Sequence, residues 1–418
     1  MSDFVNKMTA VGAKIGSQRH LGAVRDGFIS LMPLIMAGSA ALILKNIPIP
    51  NWTEILPGFI VDLCNSVWWG TFGFLAVFAA FSIGYNLAKN SNGDAFRTGF
   101  ITLASYLALI PQSHGDAGWG YIHWGYTSTN SLFMAIIIPL IAGELFIRFS
   151  NNPKLLIKLP DSVPPAVGRS FSVLLPAGLT ISIVALLGII VQLITKKDIF
   201  DFVNTLFLPL VKASDSLASG LIIVFLNQFF WLLGLHGPSI VGAVFEPLSL
   251  NLLAENQAAA ILGQPIPHIM TNAFLNTFVH LGGAGATLGL LIAILITSRS
   301  KMFRTLGKTC IGPGIFEINE PVMFGLPIVL NPLFAIPFIV GPLLLTVISY
   351  LLTAAGVVGK AVAVIPWATP PIVSGILATG DWRACILQVI NLAIVVVIYL
   401  PFVKIADMQE IEKEKAGA

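Results

Sequence analysis

Apolar residues run along this chain in blocks. Long stretches of Leu, Ile, Val, Phe and Ala alternate with short polar turns, and neither the narrow helical stripe of a soluble surface helix nor the two-residue alternation of a half-buried strand dominates. A helix needs about 20 apolar residues to cross a bilayer. Blocks that reach or approach that length lie at 27–45, 67–88, 98–112, 131–149, 171–195, 215–235, 238–254, 283–298, 333–356 and 384–403. The pattern predicts an all-α polytopic integral membrane protein with about ten transmembrane helices, several of them interrupted by Pro and Gly.

Two stretches are too apolar for soluble loops and too interrupted for full spans. They are 262–282, with Gly263, Pro265, Pro267 and Gly282 (followed by Gly283), and 360–380, with Pro366, Pro370, Pro371, Gly375 and Gly380. Non-helical backbone at membrane depth must be buried in protein or line a cavity. Both stretches therefore read as re-entrant hairpins, and broken helices mark binding sites in transporters. Segment 196–214, continuing to Asp215, has the look of an amphipathic interfacial helix. It divides a scaffold half, 1–195, from a half that carries the chemistry, 215–404, with a charged tail at 405–418.

Composition sharpens this picture. The chain has 56% hydrophobic and 10% charged residues, against about 25% charged in a soluble domain. Its 23 Lys and Arg and 20 Asp and Glu cannot cover a soluble surface of 418 residues. A soluble enzyme, a disordered chain and a disulfide scaffold are excluded. Cys64, Cys310 and Cys385 show no metal-ligand spacing, and no phosphate loop, dinucleotide fingerprint or HExxH occurs, so neither a cofactor nor a metal is expected. A net charge of +3 is too small to suggest nucleic acid as a partner.

The distribution of Lys and Arg is more informative than their number. They cluster before the first block (Lys7, Lys14, Arg19, Arg25), around 89–97, around 148–170, at 299–308 (Arg299, Lys301, Arg304, Lys308) and in the tail, and are missing from 213–298 and 309–359. An even number of spans puts both termini on one side, and the positive-inside rule makes that side cytoplasmic, with loops 46–66 and 113–130 outside. Lys196 and Lys197 are the exception. The polar opening residues read as a surface helix and not as a cleaved signal. The expected location is the cell membrane.

Polar groups within spans are expensive to bury and so are functional candidates. Asn227-Gln228-Phe229-Phe230-Trp231-Leu232-Leu233-Gly234-Leu235-His236-Gly237-Pro238 gathers an indole, an imidazole and two amides at the end of an apolar run. Sugars need this mixture of aromatic faces and fixed hydrogen-bonding groups, which makes Asn227, Trp231, His236 and Gly237 candidate substrate contacts. Gly312–Pro327 places Glu317, Asn319 and Glu320 in a stretch without other charges. Pro321 fits the first position of a helix, so Glu320 is expected as its cap. A carboxylate there can accept hydrogen bonds from hydroxyls, or take the proton of one attacking a phosphoryl group. Glu317 reads equally well as a loop residue. Asn319 and Asn272 are further candidate substrate contacts, Trp367 is a candidate for stacking on a ligand, Glu246 and Asn272 for orienting the two main segments, and His280 with Gly282, Gly283 and Gly285 for a tight turn beside a ligand. His114 and His123 are expected at the surface. Taken alone, these residues describe a transporter of a small polar solute; a proton-coupled carrier using Glu320 and His236, and a membrane receptor, stay open as alternatives.

The opening Asp26-Gly27-Phe28 and Met32-Pro33-Leu34, Leu235-His236-Gly237, Glu317-Ile318-Asn319-Glu320-Pro321, Phe324-Gly325-Leu326-Pro327 and Trp367 with Pro370-Pro371 and Ser374-Gly375 carry a resemblance across nearly the whole chain. It resembles the enzyme IIC permease of the bacterial sugar phosphotransferase system, in the lactose/cellobiose/diacetylchitobiose branch. The resemblance implies a homodimer joined through the N-terminal half, and a mobile C-terminal sugar-binding half with two hairpins that moves like an elevator. His236 and Glu320 match the histidine and glutamate that contact the 6-hydroxyl of the sugar. A partner, enzyme IIB, gives that hydroxyl the phosphate of a phosphocysteine. None of the three cysteines here lies in a phosphate-cradling loop, so enzyme IIB is expected as a separate cytoplasmic protein docking near 299–308. A β-linked glucose disaccharide is the substrate implied by the branch.

Overall fold

The structure, a computed structural model, describes residues 18–45, 52–112, 120–157, 171–326, 328–329 and 331–416. The opening segment before residue 18, His114, the stretch 158–170 and Pro327 lie outside them. In chain order the helices are α1 (Arg19–Lys45), α2 (Trp52–Ile55), α3 (Gly58–Thr71), α4 (Leu75–Lys89), α5 (Ala95–Leu107), α6 (Leu132–Ser150), α7 (Leu174–Thr195), α8 (Ile199–Ser214) and α9 (Leu217–Leu232). They continue with α10 (Gly237–Ile261), α11 (Asn272–Phe278), α12 (Thr287–Thr297), α13 (Lys301–Ile315), α14 (Glu320–Gly325), α15 (Pro332–Ala354), α16 (Val373–Thr379) and α17 (Arg383–Ala416). No strand occurs among the described residues.

Six of the described spans are long and apolar enough to cross a membrane, or seven if the bent pair α8–α9 counts as one. Several segments expected as spans are helical but short or polar. The 13 residues of α5 and the 11 of α12 fall below bilayer thickness, and α10 carries Glu246, Asn251, Glu255, Asn256 and Gln257. Part of the expected outer loop 46–66 is not a loop. Gly58–Lys89 forms one 32-residue span through a short 3₁₀ turn at Phe72–Phe74, because GFIVDLC is apolar enough to extend the helix.

The described residues form two compact units, one within 16–38 and 67–211, the other within 39–66 and 212–418. The first is packed through small residues. Ala76, Ala79, Ala80, Ile83 and Leu87 of α4 are fully buried or nearly so. A Cβ at Gly84 would overlap the Thr102 hydroxyl of α5, and one at Gly143 would meet Leu87 at 2.8 Å. Close backbone approach of this kind is how helices associate where water supplies no drive. Glu144 of α6 fixes the start of α1 by accepting from Arg19 at 2.6 Å and His20 at 2.9 Å.

In the second unit, α12, α14, α15 and α17 surround a core that includes Leu290, Leu291, Ile294, Met323, Phe334, Phe338, Val395 and Tyr399. The basic cluster is a helix here. α13 buries Phe303, Gly307, Cys310 and Gly314 at helical spacing and leaves Lys301, Arg304 and Lys308 exposed. Its start is held by α17: Asp407 accepts from the amides of Arg299 (2.7 Å) and Ser300 (3.0 Å), and Glu414 from those of Lys301 and Met302. Carboxylates at a helix N-terminus satisfy its orphan donors and its dipole. The expected tail 405–418 therefore continues α17 as far as it is described.

Candidate functional site

The two stretches expected as hairpins are largely non-helical. Each contains one seven-residue helix, α11 and α16, and backbone that has no helical partner. α17 supplies the missing partners. Gln388, 1% exposed, accepts from the amides of Ile372 (2.8 Å) and Gly375 (2.9 Å) and donates to the Thr277 carbonyl (2.6 Å) and Ser374 Oγ (2.7 Å). Asn391 donates to the Phe278 carbonyl and Ser349 Oγ, and the Tyr399 hydroxyl to the Gly285 carbonyl. One helix thus ties both broken segments together. The signal was present in the sequence as polar side chains inside the 384–403 block, but their partners are 13 to 114 residues away.

The turn after α11 is unusual. Gly282, Gly283, Gly285 and Ala286 all have positive φ (83°, 91°, 78° and 53°). Oε2 of Glu317 accepts from two successive amides, Gly282 (2.6 Å) and Gly283 (2.7 Å), and Asn319 Nδ2 donates to the Ala284 carbonyl at 2.9 Å. Burial raises the Glu317 carboxyl to about 8, against the two amide bonds that lower it. Asn319, expected to bind substrate, is buried and gives its amide to this turn. It is also the N-cap of α14, so Glu320 is not the cap but the first helical residue. The one-residue shift leaves its carboxylate in the first turn, exposed, where the helix dipole favours a negative charge.

The second segment forms a corner between α9 and α10. Gly234 has φ +78°, which lets the chain reverse. His236 caps α10, its Nδ1 lying 3.2 Å from the Ser239 amide and 2.7 Å from Ser239 Oγ. Its ring centre is 5.0 Å from that of Trp231, so the turn brings together two side chains that a straight helix would separate. Gly237 abuts the Asn227 carbonyl, and a Cβ would overlap it. Trp231 and Leu232 share one hydrophobic core with Leu281 and Ala284 of the turn, with Val322 and Met323 of α14, and with Leu326 just after it. Three segments far apart in sequence, carrying His236, His280 and Glu320, converge on it. Next to it, Trp231 Nε1, Asn227 Oδ1 and both amide atoms of Gln228 are buried without partners among the described residues.

Other candidates are placed differently. Asn272 opens α11; its Nδ2 donates to Glu246 Oε2 and its amide to Ser249 Oγ (2.5 Å), a joint between α10 and α11. Trp367 lies in the second broken segment with 60% of its surface exposed. His280 Nδ1 is buried without a partner among the described residues. A further cluster was not anticipated. His268 Nδ1 bonds Asp215 Oδ2 at 2.8 Å and its Nε2 bonds Glu255 Oε2 at 2.7 Å. Burial would lower this imidazole, but the two carboxylates outweigh it and raise the group to about 9. Asp215 also takes the amides of Ile269 and Met270, while Asn256 bonds the backbone of His268 and Ala361. The cluster closes the entrances of both broken segments. No grouping of His, Cys, Asp and Glu able to hold a metal occurs among the described residues.

Known proteins match this architecture along its length. The family model described as phosphotransferase system, EIIC, matches residues 25–342. The putative permease IIC component YwbA of Bacillus subtilis (strain 168) is 36% identical, over 98% of this chain and 96% of its own. The PTS system cellobiose-specific EIIC component of Geobacillus stearothermophilus is also 36% identical, over 98% of this chain and 95% of its own. The crystal structure of the transporter ChbC, the IIC component from the N,N'-diacetylchitobiose-specific phosphotransferase system, superposes with a TM-score of 0.93 at 37% identity, covering 97% of this chain and 98% of that one. The chain belongs to the phosphotransferase system EIIC family of multi-pass membrane sugar permeases.

Proposed function

We propose that this permease binds a β-linked disaccharide of the cellobiose type in the second unit and presents its 6-hydroxyl to phosphorylated enzyme IIB. The observation that carries the reading is the convergence just described: exposed His236 and Glu320 flank one core, beside an indole and amides with open hydrogen-bonding capacity. Trp367, 60% exposed, offers aromatic surface to the sugar's C–H face, and the buried Trp231 backs the His236 ring at 5.0 Å. In the transfer, the 6-oxygen forms a bond to phosphorus as the phosphorus–sulfur bond of phosphocysteine breaks. The sulfur leaves as thiolate, and the hydroxyl proton passes to the Glu320 carboxylate. His236, steadied by Ser239, orients the hydroxyl.

The remaining features of the proposal follow from the family resemblance and the charge pattern. The whole chain crosses the membrane about ten times, the N-terminal half serves as the dimer scaffold, both termini face the cytoplasm, and the C-terminal half, with its two re-entrant hairpins, carries the sugar by an elevator movement. Enzyme IIB docks on the basic face of α13, where Lys301, Arg304 and Lys308 stand one helical turn apart on a helix that leads directly to Glu317 and Glu320. Neutralising these three with Arg299 should slow phosphotransfer at low salt, and unchanged transfer removes this surface from the proposal.

The decisive experiment uses vesicles holding this chain alone, with labelled cellobiose outside and phosphorylated enzyme IIB inside. Sugar 6-phosphate appearing only with the phosphorylated partner supports the reading. Free sugar accumulating, and collapsing with a protonophore, would identify a proton-coupled carrier instead.

A further inference from the structure

Two glutamates three residues apart have opposite surroundings. Glu320 is exposed at the start of α14. Glu317 is 9% exposed, pairs with no cation among the described residues, and spends one oxygen, Oε2, on two successive backbone amides. Those amides belong to glycines that no other residue replaces easily. Both have positive φ, a Cβ on Gly282 would overlap the Leu288 backbone, and one on Gly283 would lie 2.8 Å from Asn319 Cγ and 2.9 Å from the Glu317 carbonyl oxygen. The next turn residue, Ala284, is bound by Asn319, the N-cap of the helix that begins with Glu320. Glu317 itself sits at φ +65°, a conformation an L-residue keeps only when its surroundings impose it.

We infer that Glu317 is a positioning residue for the phosphoryl transfer proposed above: it locks the 282–284 turn and the Glu317–Glu320 segment into one piece, and so fixes where the Glu320 carboxylate stands. The inference rests on that functional reading. Glu317 touches neither sugar nor phosphate. Because a single oxygen accepts both amides, the contact needs an acceptor at that point but no charge, and a side-chain amide carbonyl makes it equally well. Glu320, as the proton acceptor, needs its charge. The two residues therefore respond oppositely to the same substitution.

The test compares Glu317→Gln, Glu317→Ala and Glu320→Gln in vesicles loaded with phosphorylated enzyme IIB, reading kcat and KM for cellobiose, together with hydrogen exchange of the peptide spanning 280–286. Glu317→Gln should keep kcat within about threefold and keep the Gly282 and Gly283 amides protected. Glu317→Ala should release those amides and lower kcat by about 100-fold, as expected for a displaced reacting group, with a smaller effect on KM because His236 stays held by Ser239 outside the turn. Loss of activity in Glu317→Gln with its amides still protected overturns the inference, since the charge itself would then be in use. Released amides with unchanged kcat in Glu317→Ala overturn it too. If Glu317→Ala does not fold, Glu317→Gln decides alone: retained kcat supports the inference and lost kcat ends it. Full activity of Glu320→Gln, or a wild-type chain that transfers no phosphate, overturns instead the functional reading beneath it.

Discussion

Alkaline pH should loosen the entrances of the two broken segments, and His268 sets where. Its two ring nitrogens bond two carboxylates, at 2.8 Å and 2.7 Å, and only the doubly protonated ring can donate to both. Among the described residues, Lys360 also reaches this cluster, its Nζ donating to the Ile266 and Pro267 carbonyls, and Tyr350 of α15 lies near Asp215. An imidazole raised from 6.5 to about 9 is held by about 3 kcal/mol at 1.36 kcal/mol per pH unit. Since its value is raised on folding, this contribution is complete below pH 6.5, declines above it and is gone once the pH has passed about 9. Asp215 acts at the other end: its carboxyl, lowered by the bonds from His268, Met270 and Ile269 that outweigh burial, contributes above its ordinary 3.8 and fails in acid. Thermal unfolding of the detergent-solubilised protein between pH 6.5 and 10 should show the wild-type midpoint falling by roughly 5 °C more than that of His268→Gln, which starts lower and changes little. Parallel curves for the two proteins would refute the reasoning, because the alkaline loss would then come from lysines or tyrosines elsewhere.

Gln388→Leu should destabilise the second unit by about 4 kcal/mol or more, since at about 1–3 kcal/mol each it strands buried partners in both broken segments; chemical denaturation measures this, and a loss below about 1 kcal/mol would show the segments hold themselves. Trp231→Ala should weaken cellobiose binding by about 1–3 kcal/mol, seen as a rise in Kd by calorimetry. An unaltered Kd returns the indole to a purely packing role. Gly237→Ala, whose Cβ meets the Asn227 carbonyl, should open the Trp231–His236 corner and cost sugar affinity without abolishing insertion, again read as Kd.

How much of this was legible in the sequence depended on how local the cause was. Helix breakers within apolar runs are local, and 262–282 and 360–380 are largely non-helical as their Pro and Gly content indicates. The corner at His236 is also local: Gly234, Gly237 and Pro238 end one helix and start the next. The start of α14 lies one residue earlier than Pro321 indicates: Asn319 is its N-cap without a side-chain capping bond, because its amide is given to the Ala284 carbonyl 35 residues away. The role of Glu317 depends on amides 34 and 35 residues away, and that of His268 on Asp215, 53 residues away. No spacing rule reaches that far.

The same limit explains why polarity inside a membrane span identifies important residues without identifying their work. Leaving a buried donor or acceptor unpaired costs about 1–3 kcal/mol whether the intended partner is the protein or a ligand, so Asn319, Asn272 and Asn227 looked alike as candidates. Their partners separate them. Asn319 gives its amide to Ala284, and Asn272 to Glu246. Each is occupied with holding a broken segment in place, and each would give up that bond to reach a sugar. Asn227 Oδ1, Trp231 Nε1 and both amide atoms of Gln228 remain open beside the exposed His236. These atoms have almost no accessible surface, so a hydroxyl-rich ligand or a water answers that open capacity once the corner at His236 opens. Gln228, which the sequence offered only as a neighbour of Asn227, therefore ranks above Asn319 and Asn272 as a residue to vary when the specificity of this permease is mapped.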